Sequence, residues 1–294
     1  DSILAQLKPR TSQERELIEK YRAENQMELN RVRHITVVTA PTLYRDLADL
    51  AGESALDLVF QSGSLLASHG MEVYTVSDQG HKKIASAPQI ITAMSPRVDS
   101  KTVYLLLAND TIAAAQDSSV NDITLPRHAN NKHISALDLY VTNIYILDAA
   151  ARSIFKHNGS EQTFQGGAAW LENNDLLQGA TDLAIDGSVY IIRSDGEILN
   201  FVRGEQREFK PYPLTPRLGG RATITTSAES NNLYILDPDN SRVVILNKNG
   251  SVMDQYTSPR FDKLTGLAVN DTEDSLYLAN DKTIYVVAIN KPRS

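Results

Sequence analysis

The sequence has no cysteine, a single tryptophan and no long apolar run. Without cysteine there is no disulfide framework and no thiolate chemistry. No stretch approaches the ~18 apolar residues that a membrane-spanning helix needs. Positive charge is also short: the net charge is −7, which argues against a general nucleic-acid binder, because neutralising phosphates takes a basic surface. The six histidines, His34, His69, His81, His128, His133 and His157, show no metal-binding spacing. There is no G-x-S-x-G nucleophile elbow and no phosphate-binding G-x-x-x-x-G-K-[ST] loop. No catalytic residue, metal site or cofactor is therefore assigned.

What the sequence does have is repetition. "SALDL" stands at 54–58 and again at 135–139, and "YILD" at 145–148 and 234–237. Tyr104, Tyr145, Tyr190, Tyr234 and Tyr277 follow one another at 41, 45, 44 and 43 residues, with Leu66 in the same place 38 residues earlier. Six units of this length match the four-stranded blade of a β-propeller. Within the clearest unit, Ile224–Thr226, Leu233–Leu236, Arg242–Leu246 and Val252–Tyr256 read as inner, second, third and outer strands. Asn158-Gly159, Asp186-Gly187, Asp195-Gly196 and Asn249-Gly250 supply the hairpin turns, since both dipeptides favour left-handed dihedrals. "TDLAI" (181–185) and "TGLAV" (265–269) are then the same inner strand as "SALDL". One aromatic per blade at a fixed position reads as packing between blades.

The fold class is all-β, a six-bladed β-propeller with an N-terminal α-helical extension. The helical stalk is expected over 1–34 and the propeller over 35–294. The last unit lacks an outer strand, and an open ring would leave edges bare. Leu43–Leu47 is expected to pair with the last blade and close the ring, with Ile35–Val38 as the alternative. Thr11 followed by Glu14 forms a capping box for a helix running to about Val32. The first residue is Asp1 rather than Met, and an upstream domain or anchor is expected.

Residues 233–250, "LYILDPDNSRVVILNKNG", resemble an NHL repeat through Asp237, Asn240, Arg242 and Gly250. Residues 144–159 resemble it less closely, through Asp148, Arg152 and Gly159. The resemblance implies a six-bladed propeller used as a binding platform, often as a module of a larger bacterial protein outside the cytoplasm or anchored to a membrane. The chain is also similar to the gluconolactonase and SMP-30-like hydrolases. That resemblance implies, as the alternative function, a metal-dependent lactonase-type reaction in the channel, with Glu53 and Asp182 as candidate ligands.

Among the connectors between blades, residues 165–179 read as one long loop carrying Trp170. Long loops on a rigid scaffold often carry function. The neighbouring connectors bring Tyr212, Arg217, Arg221 and Arg260, and the stretch 125–133 brings His128 and His133. Arg127, Lys132, Lys210 and Lys263 add to the cations, against Glu172, Asp175 and Asp262. An aromatic with arginines on one face is the usual composition of a recognition surface. The expected function is a non-enzymatic binding module that receives a protein or anionic ligand on this loop face. The acidic second-to-third strand turns share that face and oppose its charge.

Overall fold

The computed structural model describes residues 6–98, 100–116, 119–123, 125–126, 128–159 and 163–290; Arg127 lies outside them. Helix α1 (Ser12–Val32) leads into β1 (Ile35–Val37) and β2 (Thr42–Asp46). Blade 1 comprises β3 (Leu56–Gln61), β4 (Ser64–His69), β5 (Glu72–Val76) and β6 (His81–Ser86), and blade 2 comprises β7 (Ile91–Pro96), β8 (Val103–Leu107), β9 (Ile112–Gln116) and β10 (Ser119–Ile123). Blade 3 is β11 (Ala136–Tyr140), β12 (Asn143–Asp148), β13 (Ser153–Asn158) and β14 (Ala168–Leu171). Blade 4 is β15 (Ala180–Ile185), β16 (Val189–Arg193), β17 (Ile198–Val202) and β18 (Glu205–Arg207). Blade 5 is β19 (Thr223–Thr225), β20 (Asn232–Asp237), β21 (Arg242–Asn247) and β22 (Val252–Thr257), and blade 6 is β23 (Leu264–Val269), β24 (Ser275–Asn280) and β25 (Thr283–Ala288). Each blade is an antiparallel sheet, and the inner strands contact one another in ring order through blades 1 to 5, after which β23 meets the second strand β20 of blade 5 and returns to β3.

Both N-terminal strands are used. β2 pairs antiparallel with β25, setting Leu43 opposite Tyr285 and Asp46 opposite Thr283, so it supplies the outer strand that blade 6 lacks. β1 does something else: it pairs parallel with β22 and gives blade 5 a fifth strand. The ring is thus closed by one N-terminal strand and buttressed by the other.

Burial grades outward. Second strands such as β8 are buried at every position, while β18 is exposed throughout. A radial sheet is covered on both faces near the axis, so its second strands read as continuous apolar runs rather than alternating ones. The apolar side chains fall into six clusters, one for each pair of neighbouring blades. The repeated tyrosines belong to these seams, as their spacing implies. Tyr104 meets Phe164, Tyr145 meets Trp170 and Tyr190 meets Phe209, all edge to face, and Tyr277 stacks on Phe60 at 5.8 Å.

The last residue of the second strand ties down the incoming connector. Asp148 accepts from the Lys132 and His133 N–H groups at 3.0 and 3.1 Å, Asp237 accepts from Gly219 N–H at 3.1 Å, and Asn280 accepts from Lys263 N–H at 2.8 Å. In blade 5 the anchor is an ion pair. Asp237 and Arg242, 0% and 3% exposed, lie 2.8 Å apart. Arg242 also donates to the Gln255 side chain and the Pro216 carbonyl, and Gln255 in turn donates to the Arg33 carbonyl at the root of α1. The residue cross-strand from Asp148 is Ser153, as Arg242 is cross-strand from Asp237. Ser153, not Arg152, therefore occupies the Arg242 position. Arg152 corresponds to Ser241, both at positive φ, and ion-pairs outward with Asp175.

Helix α1 carries the expected capping box: Thr11 Oγ accepts from Glu14 N–H and the Glu14 carboxylate accepts from Thr11 N–H. No residue of α1 is buried; Leu17 and Tyr21 are 50% and 51% exposed. Its packing therefore adds little to the propeller.

Three outcomes follow for stability. Truncation ahead of Arg33 is expected to leave a cooperative urea transition close to that of the whole chain. Truncation past Leu47, a fully buried residue of the seam between blades 6 and 1, is expected to abolish it. Arg242→Ala is expected to lower unfolding free energy by about 3–5 kcal/mol, because it strands a buried carboxylate.

Candidate functional site: the axial channel

The inner strands turn one edge to the axis, where their N–H groups would face the channel unpaired. Three aspartates answer this. Asp57 of blade 1 accepts from Met94 N–H of blade 2 at 2.7 Å, Asp138 of blade 3 from Ile185 N–H of blade 4 at 2.9 Å, and Asp182 of blade 4 from Ile224 N–H of blade 5 at 2.9 Å. The second oxygen of each accepts from the N–H of the residue that follows it. Between blades 2 and 3, Ser95 donates to Asp138 at 2.7 Å. Between blades 5 and 6, Glu273 accepts from Tyr234 Oη at 2.8 Å and from Asn231 N–H at 2.9 Å. Blades 6 and 1 meet by direct approach instead: a Cβ on Gly266 would lie 2.9 Å from the Leu56 carbonyl, so glycine is needed there. Every seam thus has a polar or steric lock beside its apolar cluster.

The three aspartates are enclosed by the ring yet only half-buried, because the channel itself admits solvent. Desolvation pushes the Asp57 and Asp138 carboxyls up to about 6 and Asp182 up to about 7, against the N–H bonds that pull each down. The charges of Asp138 and Asp57 add to the rise at Asp182. The channel is a cavity of about 820 Å³ walled by all six inner strands. Its mouth lies among the turns that follow those strands, where Arg97 of blade 2 and Glu229, Asp271 and Glu273 of blades 5 and 6 line it.

The residues predicted from the sequence lie elsewhere. Trp170 is in an outer strand, β14, edge-on to Tyr145 with ring centroids 5.8 Å apart; the long loop of the sequence reading contains the outer strand of blade 3 and a 3₁₀ turn at Asp175–Leu177. Tyr212 N–H donates to the Gly250 carbonyl, in the third-to-outer turn of blade 5, which lies on the opposite face from the connector tips. Arg221 pairs with Asp239 at 2.6 Å, and exposed Arg217 neighbours it through its carbonyl, which accepts from Asn240. His133 meets Asp110 at 2.8 Å, while His128 stacks on Phe155. Arg260 is exposed in the connector to blade 6. Lys263 meets Asp281 and Lys210 meets Glu208. These side chains are spread around the ring, and the acidic second-to-third strand turns neutralise cations of the connectors, as their shared face implies. Among the described residues, Arg217 and Arg221 come together, and the stretch holding His128 and His133 meets the Trp170 connector, where Asn130 donates to Glu172 at 2.5 Å.

Glu53 is exposed ahead of β3, while Asp182 sits in the channel wall. Among the described residues no three His, Cys, Asp or Glu side chains converge as metal ligands. The channel aspartates were not singled out as a group from the sequence. The signal that could have found them was the Asp shared by both "SALDL" copies and "TDLAI" on strands already assigned to the axis.

A carboxyl whose pKa is higher folded than unfolded holds more protons in the native state across the interval between the two values. Stability from Asp57, Asp138 and Asp182 therefore falls as pH rises from about 4 to about 7 and is level above that. The carboxyls of Asp239 and Asp262, held below the ordinary range by hydrogen bonds from Arg221 and Asn280, act in the opposite direction below that window. Thermal unfolding is expected to show a smaller difference between about pH 5 and about pH 8 in Asp182→Asn than in the parent.

No protein-family model matches the chain, and no curated protein matches it significantly. Solved structures share its fold. PorZ, a bacterial surface component of the type-IX secretion system of Porphyromonas gingivalis, superposes with TM-score 0.54 and 12% identity over 85% of this chain, which spans 38% of PorZ. A gluconolactonase of Xanthomonas campestris gives 0.59 and 12% over 85% of this chain and 95% of its own. An auxiliary nutrient binding protein from Bacteroides thetaiotaomicron gives 0.60 and 11% over 84% and 74%. At such identities what is shared is the fold, and one propeller scaffold serves hydrolase and binding protein alike.

Proposed function

We propose that the chain is a binding module with the axial channel as its ligand site. The observation that carries this is the cavity of about 820 Å³ bounded by all six inner strands, a volume in the range of ligand pockets. A rigid ring gives such a cavity a fixed shape, which lowers the ordering cost of binding. The connector face is the weaker candidate for an anionic partner, because Arg221, Lys263 and His133 there are paired with acids. The NHL-like residues Asp237, Asn240, Arg242 and Gly250 fit this reading as scaffold: they hold the blade 5 turn and its connector.

A surface or exported setting in a bacterial cell belongs to the same proposal. It is supported by the fold likeness to a bacterial surface component and to a nutrient binding protein, and no helix of the described residues is long and apolar enough to cross a membrane.

Thr223 is exposed to the channel from β19, so a large side chain there fills the cavity without entering a seam. A small-molecule panel screened by thermal shift is expected to yield ligands that stabilise the parent and leave Thr223→Trp unmoved. Stabilisation that persists in Thr223→Trp contradicts a channel site.

A further inference from the structure

The charges on the cavity wall are unequal and sorted by position. Ring order sets blade 2 across the axis from blade 5, with blade 6 beside blade 5. Arg97, which follows β7 in blade 2, lines one side of the mouth. It is half-buried, and among the described residues its guanidinium has no ion-pair or hydrogen-bond partner, while its backbone is held by Thr102 and Gln61. The other side carries Glu229 of blade 5 and Asp271 and Glu273 of blade 6. Glu273 is engaged by Asn231 and Tyr234. Glu229 and Asp271 are exposed and have no such partner among the described residues. Deeper in, the only carboxylates on the wall among the described residues are Asp57, Asp138 and Asp182. Among the described residues, the single cation of the wall and the free carboxylates therefore face one another across the opening, above an acidic interior.

Resting on the channel as the ligand site, we infer that the mouth takes a small ligand that carries both a carboxylate and an amine, of the amino-acid or short-peptide class, with preference for a cationic side chain. The ligand carboxylate meets the planar fork of Arg97, a geometry suited to two parallel N–H···O bonds. The amine turns toward Glu229 and Asp271. A cationic side chain then points down the axis toward the aspartates, whose charge attracts it. An acidic side chain would meet like charge there and be rejected, so the same wall supplies selectivity by repulsion.

Calorimetric titration of the whole chain with L-arginine, L-lysine, putrescine, L-glutamate and a neutral hexose tests this. L-Arginine and L-lysine are expected to bind, with putrescine weaker for want of a carboxylate and L-glutamate undetectable. Arg97→Ala is expected to weaken L-lysine about tenfold or more, the scale of a lost charge-assisted hydrogen bond, while leaving putrescine within about twofold. Glu229→Gln combined with Asp271→Asn is expected to weaken both. Glu229 and Asp271 are exposed and the half-buried Arg97 side chain has no partner among the described residues, so the variants keep the fold, checked by their unfolding temperature. Binding of the hexose or of L-glutamate in preference to L-lysine, lost in Thr223→Trp, would overturn the ligand class and keep the channel. L-Lysine binding that survives Thr223→Trp would overturn the channel site itself. Absence of binding by both basic amino acids at millimolar concentration would overturn the inference.

Discussion

Everything in this molecule depends on how one blade is fastened to the next. A four-stranded sheet cannot bury its own faces, so each blade is stable only between two neighbours, and the ring is stable only if every seam holds. Apolar clusters supply area at all six seams, but apolar contact alone does not fix register. The inner strands supply that through directional bonds: Asp57 to Met94, Ser95 to Asp138, Asp138 to Ile185 and Asp182 to Ile224. A carboxylate bonded to backbone N–H is among the stronger hydrogen bonds in proteins. The bonds from Met94, Ile185 and Ile224 also satisfy a strand edge that would otherwise rely on channel water.

The same groups shape the channel. A residue that locks a seam from the axial side necessarily lines the axis, so scaffold and site are made of the same atoms. This explains why the channel is acidic while the connector face is close to neutral. It also explains why three carboxyls are held near neutral pKa inside a ring whose other acids are mostly at the surface. Desolvation outweighs the N–H bonds because two strand edges donate to each group where full hydration would offer more.

The fold was legible because propeller periodicity is written in local chemistry. Tyrosines at fixed intervals, Asn-Gly and Asp-Gly turns, and an incomplete last unit led to the blade count and to closure by residues 43–47, since each depends on neighbours in sequence. The second N-terminal strand was read only as an alternative to the first, and nothing local says that Ile35 will lie parallel to Gln255. The site was far less legible. Trp170 looked like a loop residue because the outer strand of blade 3 is short and follows a long excursion. Tyr212 and Arg217 are close in sequence, but the connector between them crosses from one face toward the other. Arg97 and Glu229 carry no motif; only ring closure sets blade 2 across from blade 5.

The most direct measurement of the central claim is amide hydrogen exchange at Met94, Ile185 and Ile224. All three donate across a seam at the edge of a solvent-filled channel. If the aspartates fasten the ring, these amides exchange only through global unfolding and share one opening free energy with the buried second strands. Exchange at the rate of open loop amides, with the second strands still protected, would show that the seams are held by apolar packing alone and would contradict the account.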